Sequence, residues 1–295
     1  MKISANGLSI EVDDQGPPSG QAILMIMGLG MQLVAWPDEL VNDLLGRGYR
    51  VIRFDNRDIG LSQHFDDAGA PNLAWAGLRH VMHLKQHSPY GLCDMAADAI
   101  GVLDALGVAR AHVCGASMGG MIAQHLAAEN PERVRSLTLI MTTAGARNLP
   151  QPSMAVRQAM LGRPDGQDMS AVVAHLQRLL SVIGSAAYPP DPQRQQRLLL
   201  AAAQRSWHPQ GTARQLLAVM ADGDRTPLLA RIGAPTFVIH GEADPLIPVA
   251  AGHHLLQHIR GAEGDFIAGM GHDLPLPLLP RIAAGIAGCA ARAAN

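Results

Sequence analysis

The stretch Ala111-His112-Val113-Cys114-Gly115-Ala116-Ser117-Met118-Gly119-Gly120 decides how this chain folds. Ala111 to Cys114 is short and apolar, as a buried strand requires. From Met118 to about Glu129 the pattern is helical and stops before Pro131. Between strand and helix stands Gly115-Ala116-Ser117-Met118-Gly119, a G-x-S-x-G pentapeptide. A serine on a sharp strand-to-helix turn has its hydroxyl held clear of the sheet, and the flanking glycines let strand and helix approach without Cβ clashes. The serine also sits at a helix N-terminus, where N–H groups and the dipole favour developing negative charge. The bland alternative is a glycine-rich helix start with Ser117 as an ordinary capping residue.

Outward from this turn, the chain alternates strand and helix. Leu8 to Val12 alternates apolar and polar residues, as an edge strand does. Ala22 to Met27 is a continuous apolar run ended by Gly28, the mark of a strand covered on both faces. A helix follows from Pro37 to Leu45, then a strand from Tyr49 to Phe54, a possible short helix near Trp75 to Gln86, and an amphipathic helix from Asp94 to Leu106. Val134 to Met141 is another buried strand. This rhythm predicts an α/β fold with a mostly parallel central sheet and helices on both faces. It breaks after Thr143. Gly145 to Leu229 shows helical patches, among them Val172 to Ile183 and Gln193 to Gln204, separated by proline-rich joints. Strand logic resumes at Thr236 to His240. A helix from Val249 to Ile259, a strand near Asp265 to Ala268 and a last helix from about Leu276 complete the chain. The expected division is a core of residues 1–144 and 230–295 with a helical insertion at 145–229.

Composition narrows the function classes. Of 295 residues, 48% are hydrophobic and 16% charged, enough apolar content for a large core and too much for disorder. The formal net charge is -2 and no basic run occurs, so neither a nucleic acid nor an anionic membrane is an expected partner. There are 3 cysteines and no CxxC pair, which argues against a disulfide framework or structural zinc. The N-terminus lacks a signal-peptide apolar region, and Ala22 to Trp36 is too short to span a bilayer. A cytoplasmic location is expected.

A serine hydroxyl needs a base, and the base needs an acid to orient it. On a strand–turn–helix frame of this kind the order along the chain is serine, acid, histidine. Asp244, in His240-Gly241-Glu242-Ala243-Asp244-Pro245, and His272, in Gly269-Met270-Gly271-His272-Asp273, both follow predicted strand ends. Open α/β sheets carry their sites at such carboxyl ends. Ser117, Asp244 and His272 are therefore the expected catalytic triad. Glu242 and Asp273 are rivals for the acid, although Asp273 adjoins His272 and is badly placed to orient it. Backbone N–H groups of Met118 and Leu29 are the expected oxyanion hole, with an ordinary glycine turn as the alternative for the Met27-Gly28-Leu29-Gly30 loop. Gly28, Met31 and Trp36 are candidates for the substrate wall, and Met31 and Trp36 read equally well as core. His253, His254 and His258, like His80, His83 and His87, have helical spacing but no third-ligand motif, so they read as solvated helix faces and no metal is expected.

These residues resemble the α/β-hydrolase family over nearly the whole chain. Met27-Gly28-Leu29-Gly30 stands where many members carry His-Gly, with Met in place of His. Asp55-Asn56-Arg57-Asp58-Ile59-Gly60-Leu61-Ser62 is similar to a D-x-R-G-x-G-x-S segment, with Asp58 in place of Gly. Together with Pro89-Tyr90 and Gly-Ala-Ser-Met-Gly-Gly, they resemble the aclacinomycin methylesterase branch. The resemblance implies that residues 145–229 cap the pocket and adds a methyl ester to the candidate substrates, while the apolar residues Leu29, Met31, Trp36 and Met118 around the expected site point to a small or medium hydrophobic carboxylic ester or lactone. It implies no cofactor. The same triad could serve a lactonase, a carbon–carbon bond hydrolase or a cofactor-free perhydrolase, and a non-catalytic ligand receptor could keep the fold. Monomer and homodimer are both open. A nucleotide-binding sheet protein is disfavoured, because no G-x-G-x-x-G follows the first strand.

Overall fold

In a computed structural model the structure describes residues 1–82, 84–166 and 168–293. The strands are β1 (Lys2–Ala5), β2 (Leu8–Gln15), β3 (Ala22–Ile26), β4 (Arg50–Phe54), β5 (Ala111–Ala116), β6 (Val134–Ile140), β7 (Thr236–Gly241) and β8 (Glu263–Ile267). They form one 8-stranded sheet in the order β1-β2-β4-β3-β5-β6-β7-β8. β1 and β2 pair antiparallel, β2 pairs antiparallel with β4, and every later pairing is parallel. The α/β expectation therefore holds. Leu8–Gln15 is not the edge strand, however: β1 lies outside it. The signal for β1 is Asn6-Gly7, where φ is 51° and 74°. Two positive φ values in a two-residue loop make the hairpin turn that matches strand twist, and Ala5 pairs directly with Leu8.

Helices α1 (Asp38–Gly46) and α11 (Leu279–Ala291) cover one face of the sheet. Helices α3 (Leu92–Ala105) and α4 (Met118–Glu129) cover the other. Strand β3 shows why both faces must be covered. Leu24 and Ile26 enter the α3/α4 cluster, whereas Ile23 and Met25 enter the α1/α11 cluster, and all four are at 0% exposure. Helix α10 (Ala250–His258) packs beside β7.

A short helix, α2 (Leu73–Val81), ends well before Gln86. Between β6 and β7 lie α5 (Met154–Leu161), α6 (Met169–Ile183), α7 (Pro192–Arg205), α8 (Pro209–Asp222) and α9 (Thr226–Leu229), with no strand among the described residues there. The two ends of this insertion meet. Arg225 donates its N–H to Ala144 O at 2.7 Å and its guanidinium to Thr143 O at 3.0 Å. No helix among the described residues is long and apolar enough to cross a membrane.

Arginines tie the insertion to the core, Arg194 of α7 among them through Glu39 of α1 at 2.5 Å. Besides Arg225, Arg205 at the end of α7 reaches Asp55 at 2.7 Å. Arg214 on α8 clamps Asp58 with two guanidinium nitrogens, at 2.8 and 2.7 Å. Arg214 and Asp58 side chains are both at 0% exposure. Asp58 has φ 72°, a left-handed conformation that glycine adopts freely. Its carboxylate also accepts from Tyr90 Oη and Phe65 N. Burial pushes this carboxyl up, but the hydrogen bonds outweigh burial and hold it below its ordinary value. The departure from glycine at this position thus has a local cost and an electrostatic partner supplied by the insertion.

Candidate active site

The residues named from sequence converge at the carboxyl ends of the parallel strands. β5 delivers Ser117, β7 leads to Asp244, β8 leads to His272, and β3 runs into the Gly28–Gly30 loop. Ser117 has φ 54° and ψ -120°, and its side chain makes no helix-capping hydrogen bond. It is therefore not the ordinary capping serine. The turn is held by Ser117 N donating to Ile140 O at 2.9 Å and by Thr142 Oγ1 donating to Ser117 O at 2.6 Å. Its tightness explains the glycines. A Cβ at Gly115 would lie 2.3 Å from Gly119 O, and one at Gly119 would lie 2.0 Å from Ile26 O.

Ser117 Oγ lies 3.0 Å from His272 Nε2, and His272 Nδ1 lies 2.7 Å from Asp244 Oδ2. The other Asp244 oxygen accepts the N–H groups of Leu246 and Ile247 at 2.9 and 2.8 Å. With Nδ1–H donated to the carboxylate, Nε2 is left as the acceptor facing the hydroxyl. The Asp244 side chain is fully buried and that of His272 is 7% exposed. His240 lies beneath them, its Nε2 donating to Ile247 O at 2.8 Å. Burial pushes this imidazole down, so it stays neutral beside the Asp244–His272 pair.

The rivals for the acid are placed elsewhere. Glu242 is exposed. Asp273 accepts hydrogen bonds from the N–H and hydroxyl of Ser185, just past α6. Burial raises the Asp273 carboxyl. Ser185 Oγ in turn accepts Gly271 N–H at 2.7 Å, and His272 N donates to Ile183 O at 2.7 Å. The loop carrying His272 is thus fastened to the insertion. No local pattern around Ser185 marks this role, because the partners are 88 residues apart.

The loop after β3 lies against the serine. A Cβ at Gly28 would stand 3.1 Å from Ser117 Cβ and 3.6 Å from its Oγ. Among the described residues, neither Leu29 N–H nor Met118 N–H has a hydrogen-bond acceptor. Leu29 and Met31 are half-buried, whereas Met118 is packed into the core at 1% exposure. Of its two readings, Trp36 fits the core one: it is at 0% exposure, in the core cluster with Leu40 and Leu44.

The histidine-rich stretches also separate. His254 does not lie on a solvated face: it is buried, hydrogen-bonded to Thr226 Oγ1 at 2.8 Å, with its ring 4.0 Å from that of His258 at a 30° tilt. His253 and His87 are exposed. His83 and the side chain of His80 lie outside the described residues. A cluster that no spacing announced brings His64, Asp66 and His208 together. The Arg214 guanidinium stands 3.0 Å from His208 Nε2 and 3.3 Å from Asp66 Oδ1. A positive charge therefore occupies the space where these ligands would converge on a cation, and the two rings stack in parallel at 3.9 Å rather than pointing to one centre. The cluster is an ion-pair network.

Comparison with known proteins places the chain in a family. Residues 21–276 match the model of the alpha/beta hydrolase fold family. The chain is 32% identical to rhodomycin D methylesterase DauP of Streptomyces sp. (strain C5), over 92% of this chain and 91% of that protein. It is 31% identical to rhodomycin D methylesterase DnrP of Streptomyces peucetius over the same shares. The esterase RhEst1 from Rhodococcus sp. ECU1013 superposes with a TM-score of 0.77 at 21% identity, covering 99% of this chain and 98% of that one, a likeness of fold. These relatives bear out the methylesterase-branch resemblance read from the motifs. The chain belongs to the α/β-hydrolase family.

Proposed function

We propose that the chain hydrolyses small or medium apolar carboxylic esters, methyl esters included, through an acyl-enzyme on Ser117. The observation that carries this reading is the hydrogen-bonded chain from Ser117 Oγ through His272 to Asp244, at 3.0 and 2.7 Å. Ser117 Oγ attacks the ester carbonyl carbon while His272 Nε2 takes its proton. The carbonyl π electrons move onto oxygen, where Leu29 N–H and Met118 N–H hold the charge. Collapse of the tetrahedral species expels the alkoxide, which leaves as alcohol with the proton from His272. Water then gives its proton to His272 and attacks the acyl carbon. The second collapse releases the acid and returns the proton to Ser117. Asp244 keeps the imidazole in the productive tautomer and steadies the imidazolium. No step in this cycle calls for a cofactor.

Methyl-ester preference is supported by the two methylesterase relatives, and an apolar acyl group by half-buried Leu29 and Met31 on the loop whose Gly28 lies against the serine. We read residues 145–229 as the cap over this pocket and residues 1–144 and 230–295 as the core. Turnover of p-nitrophenyl butyrate and of a panel of methyl esters tests the proposal. Ser117→Ala should lower kcat by at least about a thousandfold, and a fluorophosphonate should label Ser117 in the wild type. A Ser117→Ala protein working at the wild-type rate would sink it. Lactones and vinylogous diketones in the same panel separate ester cleavage from the other reactions open to this triad.

A further inference from the structure

Helix α8 does more than lie over the core. Gln215 is buried at 0% exposure and reaches two core loops at once. Its Oε1 accepts Gly30 N–H at 3.0 Å, and its Nε2 donates to Arg57 O at 2.8 Å. Gly30 follows Leu29 directly and has φ 70°, and a Cβ there would lie 2.8 Å from Thr212 of the same helix. One turn of α8 thus grips the loop. A Cβ at Gly211 would be only 2.0 Å from Asp58 O, so α8 packs with its backbone directly against the loop after β4. Arg214, between Thr212 and Gln215, is locked on Asp58.

We propose that Gln215 is a positioning residue for the oxyanion loop, setting where Leu29 N–H points by holding the next amide of the chain. The inference rests on the hydrolase reading above. The Gly28-Leu29-Gly30 loop is a turn closed by Met31 N donating to Gly28 O at 3.2 Å, and its two glycines leave the central Leu29–Gly30 peptide able to adopt more than one orientation within that closure. Without an acceptor for Gly30 N–H, the central Leu29–Gly30 peptide can flip inside the turn, and the backbone about Leu29 Cα, which also carries the Leu29 N–H donor, readjusts with it. The distance between donor and oxyanion is what governs the stabilisation of the transition state. The substrate ground state, bound mostly through apolar contact, depends on this hydrogen bond far less.

The consequence is a split between kcat and KM that a merely structural role would not give. Gln215→Leu should keep KM within about threefold and lower kcat on p-nitrophenyl butyrate by about 10- to 100-fold. It should weaken inhibition by an aryl trifluoromethyl ketone, which forms a hemiketal oxyanion, by a similar factor. Gln215→Glu retains an acceptor for Gly30 N–H and should recover most of kcat, although its carboxylate meets Arg57 O without a proton to donate. A folded Gln215→Leu protein with kcat and ketone inhibition unchanged overturns the assignment, as does an equal loss in the Leu and Glu variants. If Gln215→Leu fails to fold, amide exchange in the wild-type protein decides. Gly30 N–H should be strongly protected, and exchange at the rate of an open loop overturns the role. Absence of wild-type ester turnover would instead be a failure of the hydrolase reading, and Gly30 protection would be unaffected by it.

Discussion

Ser117 sits at φ 54° and ψ -120°, outside the regions an L-residue adopts freely. Such a conformation costs about 1–3 kcal/mol and persists only where the surroundings impose it. Here the surroundings are Ile140 O, Thr142 and the glycine contacts with β3, so the strain is held by the rigid middle of the sheet. The hydroxyl is turned away from its own helix and toward His272. Asp244 contributes differently. Its two oxygens are divided between the imidazole and the N–H groups of Leu246 and Ile247, so the carboxylate cannot rotate. Asp244→Asn should keep these backbone contacts but can present an NH₂ to Nδ1, which favours the wrong tautomer. We expect kcat on a p-nitrophenyl ester to fall by about ten-thousandfold with the thermal midpoint little changed. A loss under tenfold in a folded protein would show that Asp244 does not orient the base.

Among the elements, α8 and the loop after β4 depend on one another. The Arg214–Asp58 pair is fully buried, and removing one partner leaves the other charge without compensation. Arg214→Met should destabilise the protein by about 3–5 kcal/mol in urea unfolding. Asp58→Gly relieves the left-handed backbone at φ 72° but strands the arginine. The double variant, Asp58→Gly with Arg214→Met, should be far more stable than the two single losses add up to. A double-mutant cycle measures this coupling, and strict additivity would mean that the pair is not what holds α8. The same logic explains why Asp58 could not be understood from its neighbours in the chain. Its departure from glycine looks like a defect until a helix 156 residues away supplies the guanidinium.

The whole molecule places its chemistry along one edge, where β3, β5, β7 and β8 end, and its stability in the sheet below. That division has a pH signature. His112 on β5 is buried between Ser136 Oγ and Gln21 Oε1, both at 2.9 Å. Burial, aided by the positive charges of Arg135 and Arg110, pushes its imidazole down to about 4 from an ordinary 6.5. Between these values the unfolded chain binds a proton that the native state refuses. Stability is therefore complete above pH 6.5 and falls as the pH drops through the window. His240 is shifted in the same direction by burial and adds to the loss. Between pH 7.5 and pH 5, His112 alone should cost about 1–2 kcal/mol. Urea unfolding of wild type and His112→Gln at both pH values checks this. The variant should lose less stability on acidification, and identical losses would remove His112 as a source.

By itself the sequence determined the sheet frame, the serine turn and the order of serine, acid and base. Each of these is written in local pattern: apolar runs of strand length, glycines where backbones meet, and polar residues just past strand ends. Even the first hairpin was legible in Asn6-Gly7, a signal that the alternation of Leu8 to Val12 overshadowed. Only the tertiary structure decided how the insertion serves the site. Ser185 on the His272 loop, Arg214 on Asp58 and Gln215 on the loop after β3 join residues 88, 156 and 185 positions from their partners. Single polar side chains on helices have no periodicity to announce them. Their meaning comes from burial, which removes water as a partner and leaves each donor and acceptor dependent on whatever the fold brings within reach.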